Sequence, residues 1–248
     1  MNKIILAFIL TFTISSNTFG QVGNIIKELE IPKRDRYSSS GSGDGFSSEW
    51  IILEGFRLIG IGIYSLQTYV LSTRGEHPEI VSLEGFLQGG YYGKYNAILL
   101  NPKIRANWGA FSTEFRQQSI NDNTGYLSTL DWQIIKLNIP IYPVMLNGGM
   151  GFSHLDIADR TFFEYTLGAQ SRFLKKRLYT EAVYRSADGE RTSFRKEFKI
   201  TCDYEIGNKQ LRNKGSFRIC PSLGLTYQNY YGKFNQYYLM AGINIRYY

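Results

Sequence analysis

Strict alternation of apolar and polar positions closes the chain. Tyr237, Leu239, Ala241, Ile243, Ile245 and Tyr247 share one face of an extended segment, and Tyr238, Met240, Gly242, Asn244, Arg246 and Tyr248 share the other. The first face is apolar and bracketed by aromatic rings. The same spacing of ten residues, aromatic to aromatic, recurs from Tyr142 to Phe152, Phe163 to Phe173, Phe194 to Tyr204 and Phe217 to Tyr227. Ten residues at a rise of ~3.3 Å, tilted by about 40°, climb roughly 25 Å, the height of the lipid-facing band between the aromatic girdles of a transmembrane β-barrel.

The pattern predicts ten strands, at 50–64, 80–91, 103–116, 127–139, 144–153, 163–173, 178–185, 194–206, 217–228 and 237–247. The fold class is all-β, an antiparallel transmembrane barrel of about ten strands, with eight as the alternative. The first segment, running through Ile59, Gly60, Ile61, Gly62 and Ile63, is apolar on both faces and has no readable orientation. In the second, Val81, Leu83, Gly85 and Leu87 point outward and Ser82, Glu84 and Gln88 inward. Asn101-Pro102 reads as a turn. The apolar phase slips by one at Ala110/Phe111 and again at Ile134/Ile135, which predicts bulges. Pro221 falls mid-strand, where it costs a ladder hydrogen bond. Very short connectors at 140–143 and 174–177 fit periplasmic turns if both chain ends are periplasmic, a pattern that the long connector at 206–216 breaks.

The polar face of the later strands carries Glu164, Arg172, Glu181, Arg185, Arg195, Glu197, Lys199, Asp203, Glu205, Arg218 and Arg246, six basic and five acidic groups. A selective channel calls for an excess of one sign. Interleaved opposite charges in a narrow lumen pair with one another, and barrels near eight strands are filled by side chains. This favours a plugged interior with a structural or narrow-pore role, a small-solute channel being one alternative. An outer-membrane lipid-modifying enzyme is another, but Ser153 and His154 are adjacent and therefore point to opposite faces of a strand, and His77 lies in a loop. The enzyme question stays open, with no catalytic residue to name, and neither metal-ligand spacing nor a cofactor motif is present.

Upstream, residues 1–20 read as a secretory signal: a basic start at Lys3, an apolar core over 4–14, and a small-residue cleavage site before Gln21. The absence of Cys near that site argues against a lipid anchor. Residues 21–49 read as a flexible periplasmic lead-in with a short helical turn near Ile25 and a Gly/Ser stretch over 38–45. The barrel is assigned to 50–248. The formal net charge of +7 is dispersed among short basic clusters such as Lys33 to Arg36 and Lys175 to Arg177, which argues against nucleic acid as a partner. Cys202 and Cys220 are symmetric about position 211, yet their parities oppose a disulfide unless a bulge intervenes. Lys196 is a charge on the outward face, placed to snorkel or to lie at a strand end.

Over about 50–248 the chain resembles bacterial outer-membrane β-barrels, and Gly242, Ile245 and Tyr247 resemble the terminal assembly signal of that class, with Met240 as a departure from it. The resemblance implies recognition by the barrel assembly machinery, outer-membrane lipids as surroundings, and a Gram-negative outer-membrane location. It implies no particular activity. The Tyr-rich style, with Gln after the signal, is similar to that of proteins from Bacteroidota. A monomer without cofactor is expected. The rival fold is a soluble periplasmic lipocalin-like carrier, in which the same alternation would bury the apolar face and wet the charged one.

Overall fold

The computed structural model describes residues 21–30, 49–75, 78–173, 177–189, 193–210 and 215–248, and for 29–30 and 49–60 the backbone alone. The signal segment, the Gly/Ser stretch, Lys33 to Arg36, Lys175, Lys176 and His77 lie outside the described residues. Among the described residues two α-helices, α1 (Val22–Glu30) and α2 (Glu49–Ser72), precede the strands. The strands are β1 (Val81–Tyr92), β2 (Ala97–Trp108), β3 (Phe111–Asp122), β4 (Gly125–Ile141), β5 (Val144–Leu155), β6 (Arg160–Phe173), β7 (Leu178–Asp188), β8 (Ser193–Tyr204), β9 (Gly207–Gln210), β10 (Ser216–Tyr230) and β11 (Phe234–Tyr247). Each pairs antiparallel with its neighbour from β1 to β8, β8 pairs with β10, β10 with β11, and β11 returns to β1. The sheet closes on itself as a barrel of ten strands, with β9 as a short flap on the edge of β10.

Alternation is preserved on every wall. Leu83, Leu87, Ile104, Phe115, Leu167, Leu223 and Leu239 stand exposed outside, while Glu84, Arg105, Glu114, Arg116, Glu164, Glu197 and Arg246 are buried inside. The slip at Ile134/Ile135 is a bulge: Gln133 pairs with Gly151 and Ile135 with Met150, leaving Ile134 unmatched. The slip at Ala110/Phe111 has another cause. Gly109, at φ 84°, and Ala110 form a two-residue hairpin turn, so the single strand expected over 103–116 is the end of β2 and the start of β3. Asn101-Pro102 is no turn but lies inside β2, where the β2–β3 ladder skips both residues because proline has no N–H to give. Pro221 marks the point where the neighbour of β10 changes from β9 to β8, so its missing donor is not needed there.

Residues 50–64 correct the sequence reading. They are helical, within α2, and the barrel begins at Val81 rather than at residue 50. A run apolar on both sides lacks the period of two that a barrel wall requires, and the helix satisfies its backbone hydrogen bonds internally. The count of ten survives because the hairpin at Gly109 supplies the strand that α2 removes. Gly60 and Gly62 of that segment are helix residues.

The two helices sit at opposite mouths. At the mouth away from the strand termini, Val22, Ile25, Ile26 and Leu29 recur at helical spacing, and Val22 and Ile25 are fully buried against inward-facing Leu99, Ile120, Leu127, Leu155, Phe194, Tyr230, Tyr238 and Met240. Asp122 Oδ2 accepts from Val22 N at 2.9 Å, Thr124 Oγ1 accepts from Gly23 N at 3.0 Å, and Lys233 Nζ meets Glu28 at 2.7 Å. This part of the lead-in is therefore a docked lid. At the terminal mouth, Gln67 of α2 donates to the Trp108 carbonyl (3.1 Å) and accepts from Ala110 N (2.8 Å).

Two glycines test the bulge. A Cβ on Gly151 would press on the Trp132 carbonyl oxygen and come within 2.7 Å of Gln133 Cα, whereas one on Gly85 meets nothing within 4 Å. Gly151→Ala is expected to lose roughly 1–3 kcal/mol of stability in urea unfolding of the detergent-solubilised protein. Gly85→Ala is expected to be neutral or to gain up to about 1 kcal/mol.

Candidate functional site

Inward side chains on the middle of the barrel form one continuous charge lattice. Its hub is Glu114 on β3, whose carboxylate accepts from Arg105 Nε at 2.7 Å and from Arg185, and lies 3.3 Å from Lys136 Nζ and 3.7 Å from Lys103 Nζ. Arg105 also reaches Glu181 at 2.6 Å, and Arg116 holds Asp131 and Glu197 at 2.5 Å each. Arg195 meets Asp131 at 2.8 Å and Glu164 at 2.6 Å, while Arg185 meets Glu164 at 3.1 Å. Arg195, Glu114 and Glu164 have no more than one per cent of their surface exposed. Charges so far from water persist only with partners and hydrogen bonds on most of their atoms, which this lattice supplies.

The direction of these pairs matters more than their number. Arg105 and Lys103 on β2 reach Glu181 on β7, and Arg116 on β3 reaches Glu197 on β8. In a ring of ten strands these walls lie five apart, across the full diameter. Side chains therefore bridge the lumen from wall to wall. Lys199 differs from the rest: it pairs with no carboxylate among the described residues and donates a hydrogen bond to Gln88 Oε1, while Gln88 Nε2 donates to Ser222 Oγ and Asn244 Oδ1.

Toward the terminal mouth the lattice becomes aromatic as well as charged. Arg172 meets Glu79 at 3.0 Å, Arg218 meets Glu205 at 2.9 Å, and Arg246 meets Asp203 at 2.6 Å. The guanidiniums of Arg246 and Arg172 lie 4.0 Å and 4.3 Å from the centre of the Tyr179 ring, whose hydroxyl accepts from Arg218 and Arg172. Toward the far mouth charge gives way to the apolar layer under α1.

All eleven lumen residues read from the sequence thus lie inside, in two groups: Glu164, Glu181, Arg185, Arg195, Glu197 and Lys199 at mid-height, and Arg172, Asp203, Glu205, Arg218 and Arg246 at the terminal mouth. Lys103, Arg105, Glu114, Arg116, Asp131 and Lys136 went unread, the hub among them. The parity of 97–122 becomes legible once Gly109 is taken as a hairpin turn.

Of the aromatic residues, Phe152, Phe163, Tyr227 and Tyr237 lie outward near the far mouth, where Phe152 meets Phe163 (6.3 Å between ring centres) and Tyr227 meets Tyr237 (4.9 Å). Tyr142, Phe173, Tyr204, Phe217 and Tyr247 lie near the terminal mouth. Phe194 is not among the outward rings. An irregularity between Ala187 and Asp188 turns both Phe194 and Arg195 inward, and the Phe194 ring stacks on Phe162 at 4.5 Å. Gly242 lies opposite Gln88 on the closing seam, where a Cβ would come within 2.7 Å of Gln88 Cα.

Ser153 is buried and donates to Asp131 (2.6 Å), whereas His154 points outward to Thr161 (3.1 Å), so the two side chains do not meet. Cys202 faces outward, Cys220 is buried inside, and both are free thiols. The described residues contain no group of three His, Cys, Asp or Glu placed to hold a metal ion.

No protein-family model and no curated protein matches the chain. Among solved structures, a chain from "Unveiling the Mechanism Behind the in-meso Crystallization of Membrane Proteins" aligns with 66% of this chain and 83% of its own, at 10% identity and TM-score 0.29. A mutant of the Rh. blastica porin aligns with 66% of this chain and 99% of its own, at 8% identity and TM-score 0.19. At these scores neither likeness carries the fold, which rests on the closed ladder itself.

Removing the hub should cost more than removing Lys199, which has no carboxylate within ion-pair distance among the described residues. Glu114→Ala, which strands buried cations, is expected to lose about 3–5 kcal/mol. Lys199→Met is expected to leave stability unchanged or raised. Urea unfolding followed by tryptophan fluorescence measures both, and equal losses would contradict the lattice.

Proposed function

We propose that this chain is an integral outer-membrane β-barrel with a charged, side-chain-filled interior, acting as a monomeric structural barrel or narrow pore. One observation carries the reading, the inversion of the two faces. Leu223 and Leu239, with 65% and 58% of their surface exposed, stand among outward aliphatic residues on all walls, while charged side chains fill the middle. A water-soluble barrel has no use for such a band, but hydrocarbon matches it. The outward aromatic residues near the two mouths fit the girdles that flank a lipid-facing band. Among the described residues no helix is long and apolar enough to cross a membrane, so a crossing falls to the strands.

The alternatives meet specific obstacles. A lipocalin-like carrier needs the faces exchanged, with the apolar set inward. A wide solute channel needs a lumen free of ion pairs across its diameter. A lipid-modifying enzyme needs a nucleophile within reach of a base, and Ser153 has only Asp131. Export by the N-terminal signal, assembly through Gly242, Ile245 and Tyr247, and a lipid environment in a Gram-negative outer membrane complete the reading.

The native protein is expected to remain with the outer-membrane fraction after carbonate washing and to migrate faster on a gel when unheated. In planar bilayers it is expected to show no large unitary conductance. Release by carbonate would overturn the membrane reading. Porin-sized conductance steps would overturn the filled lumen and leave the membrane reading intact.

A further inference from the structure

Helix α2 carries an apolar surface that the barrel does not cover. Among its 24 residues the side chains are described from residue 61 onward. Val70 is fully buried beside Ile80, Ala110 and Met145, Leu66 packs against the same cluster, and Gln67 grips the β2–β3 turn. Around these anchors Ile61, Ile63, Tyr64, Tyr69 and Leu71 stand exposed, Tyr64 at 73%. Positions 61, 64 and 71 fall on one helical stripe, whereas 63 lies on the anchored side with 67 and 70, and 69 stands apart from both. Exposed apolar side chains in a stripe mark a contact that the folded chain alone does not make.

Its attachment point indicates what covers it. Gln67 holds the backbone of Trp108, an outward ring at the terminal end of β2, on the side where Phe173, Tyr204 and Tyr247 also ring the barrel. Leu66 shares its cluster with Phe111 and Leu137. Those two residues also line an outward apolar groove of about 550 Å³, with Leu146, Met150 and Leu167 farther along the wall. The exposed helix is thus continuous with the barrel's apolar band at its rim. Arg74, exposed in the turn after α2, is placed for a phosphate headgroup.

We infer that α2 is an interfacial membrane helix. It lies along the boundary between headgroups and acyl chains of the leaflet on the terminal side, beside the barrel wall, and its partner is the bilayer itself. This rests on the membrane reading above and adds to it a second, strand-independent contact with lipid. Among the described residues no helix is long and apolar enough to cross a membrane, and a shallow position with one anchored face does not require a crossing.

The test uses the full chain reconstituted in phosphatidylethanolamine/phosphatidylglycerol vesicles, with Cys202→Ser and Cys220→Ser as background. An environment-sensitive fluorophore is placed at Tyr64→Cys, at Leu239→Cys on the barrel band, or at Lys233→Cys in the far-mouth turn. Retained heat-modifiable migration verifies folding of each variant. The Tyr64 label is expected to resist aqueous iodide several-fold better than the Lys233 label and to be quenched best by lipids brominated near the glycerol. The Leu239 label is expected to respond best to deeper bromines. If the Tyr64 label is as open to iodide as Lys233 while Leu239 is quenched from the lipid, the helix inference fails and the barrel reading stands. If Leu239 too is open to iodide, both fail.

Discussion

Ion pairs that cross the lumen are the constraint on which the rest of this structure depends. A barrel of ten strands encloses a space too narrow for a free aqueous channel if its walls carry long side chains. Here those side chains are arginines, lysines and carboxylates. Buried charge is tolerable only when it is paired, and the nearest partner for Arg116 or Arg105 includes a carboxylate on the opposite wall. Pairing therefore ties wall to wall across the lumen. With the charges gathered inside, the outward set is left predominantly apolar, which is the feature the membrane reading rests on. One arrangement of charge thus accounts for both the ties across the lumen and the apolar outer face.

The ends are built on a different principle from the middle. At the far mouth the lattice yields to Leu99, Ile120, Phe194 and Tyr230, over which α1 lays Val22 and Ile25. Asp122 serves two purposes there. One carboxylate oxygen holds the backbone of Thr124 and Gly125 in the β3–β4 turn, and the other accepts from the first turn of α1. At the terminal mouth Tyr179 and three arginines form a mixed aromatic and ionic rim, with α2 to one side. Closure at mid-height does not depend on either helix, because the diametric pairs involve strands alone.

Much of this was legible in the sequence where period two was clean. From residue 144 onward the alternation assigned inside and outside correctly for Glu164, Arg185, Glu197 and Arg246. It failed where one residue changes the phase. Gly109 and Ala110 make a turn that looks, in sequence, like the bulge at Ile134, since both displace the apolar set by one position. Only the hydrogen-bond ladder separates them, and the hub Glu114 was lost with that distinction. Phe194 fell to the same ambiguity, because an irregularity beside it turned an outward position inward. Residues 50–64 failed for another reason. Apolar on both faces, they carry no periodic signal, and local sequence alone does not distinguish a buried strand from an exposed helix. The docking of α1 was equally hidden, since its hydrogen-bond partners are a hundred residues or more away in sequence.

The account stands on which face of the wall meets lipid, and a nitroxide scan along β10 reads that directly. Spin labels placed singly at positions 222 to 227 in bilayer-embedded protein would be compared for accessibility to oxygen, which concentrates in hydrocarbon, and to a polar nickel chelate, which does not. The account predicts a period of two, with high oxygen accessibility at Leu223, Leu225 and Tyr227, and with Ser222, Gly224 and Thr226 shielded from both reagents. Nickel accessibility at Leu223 and Leu225 above that for oxygen would contradict it.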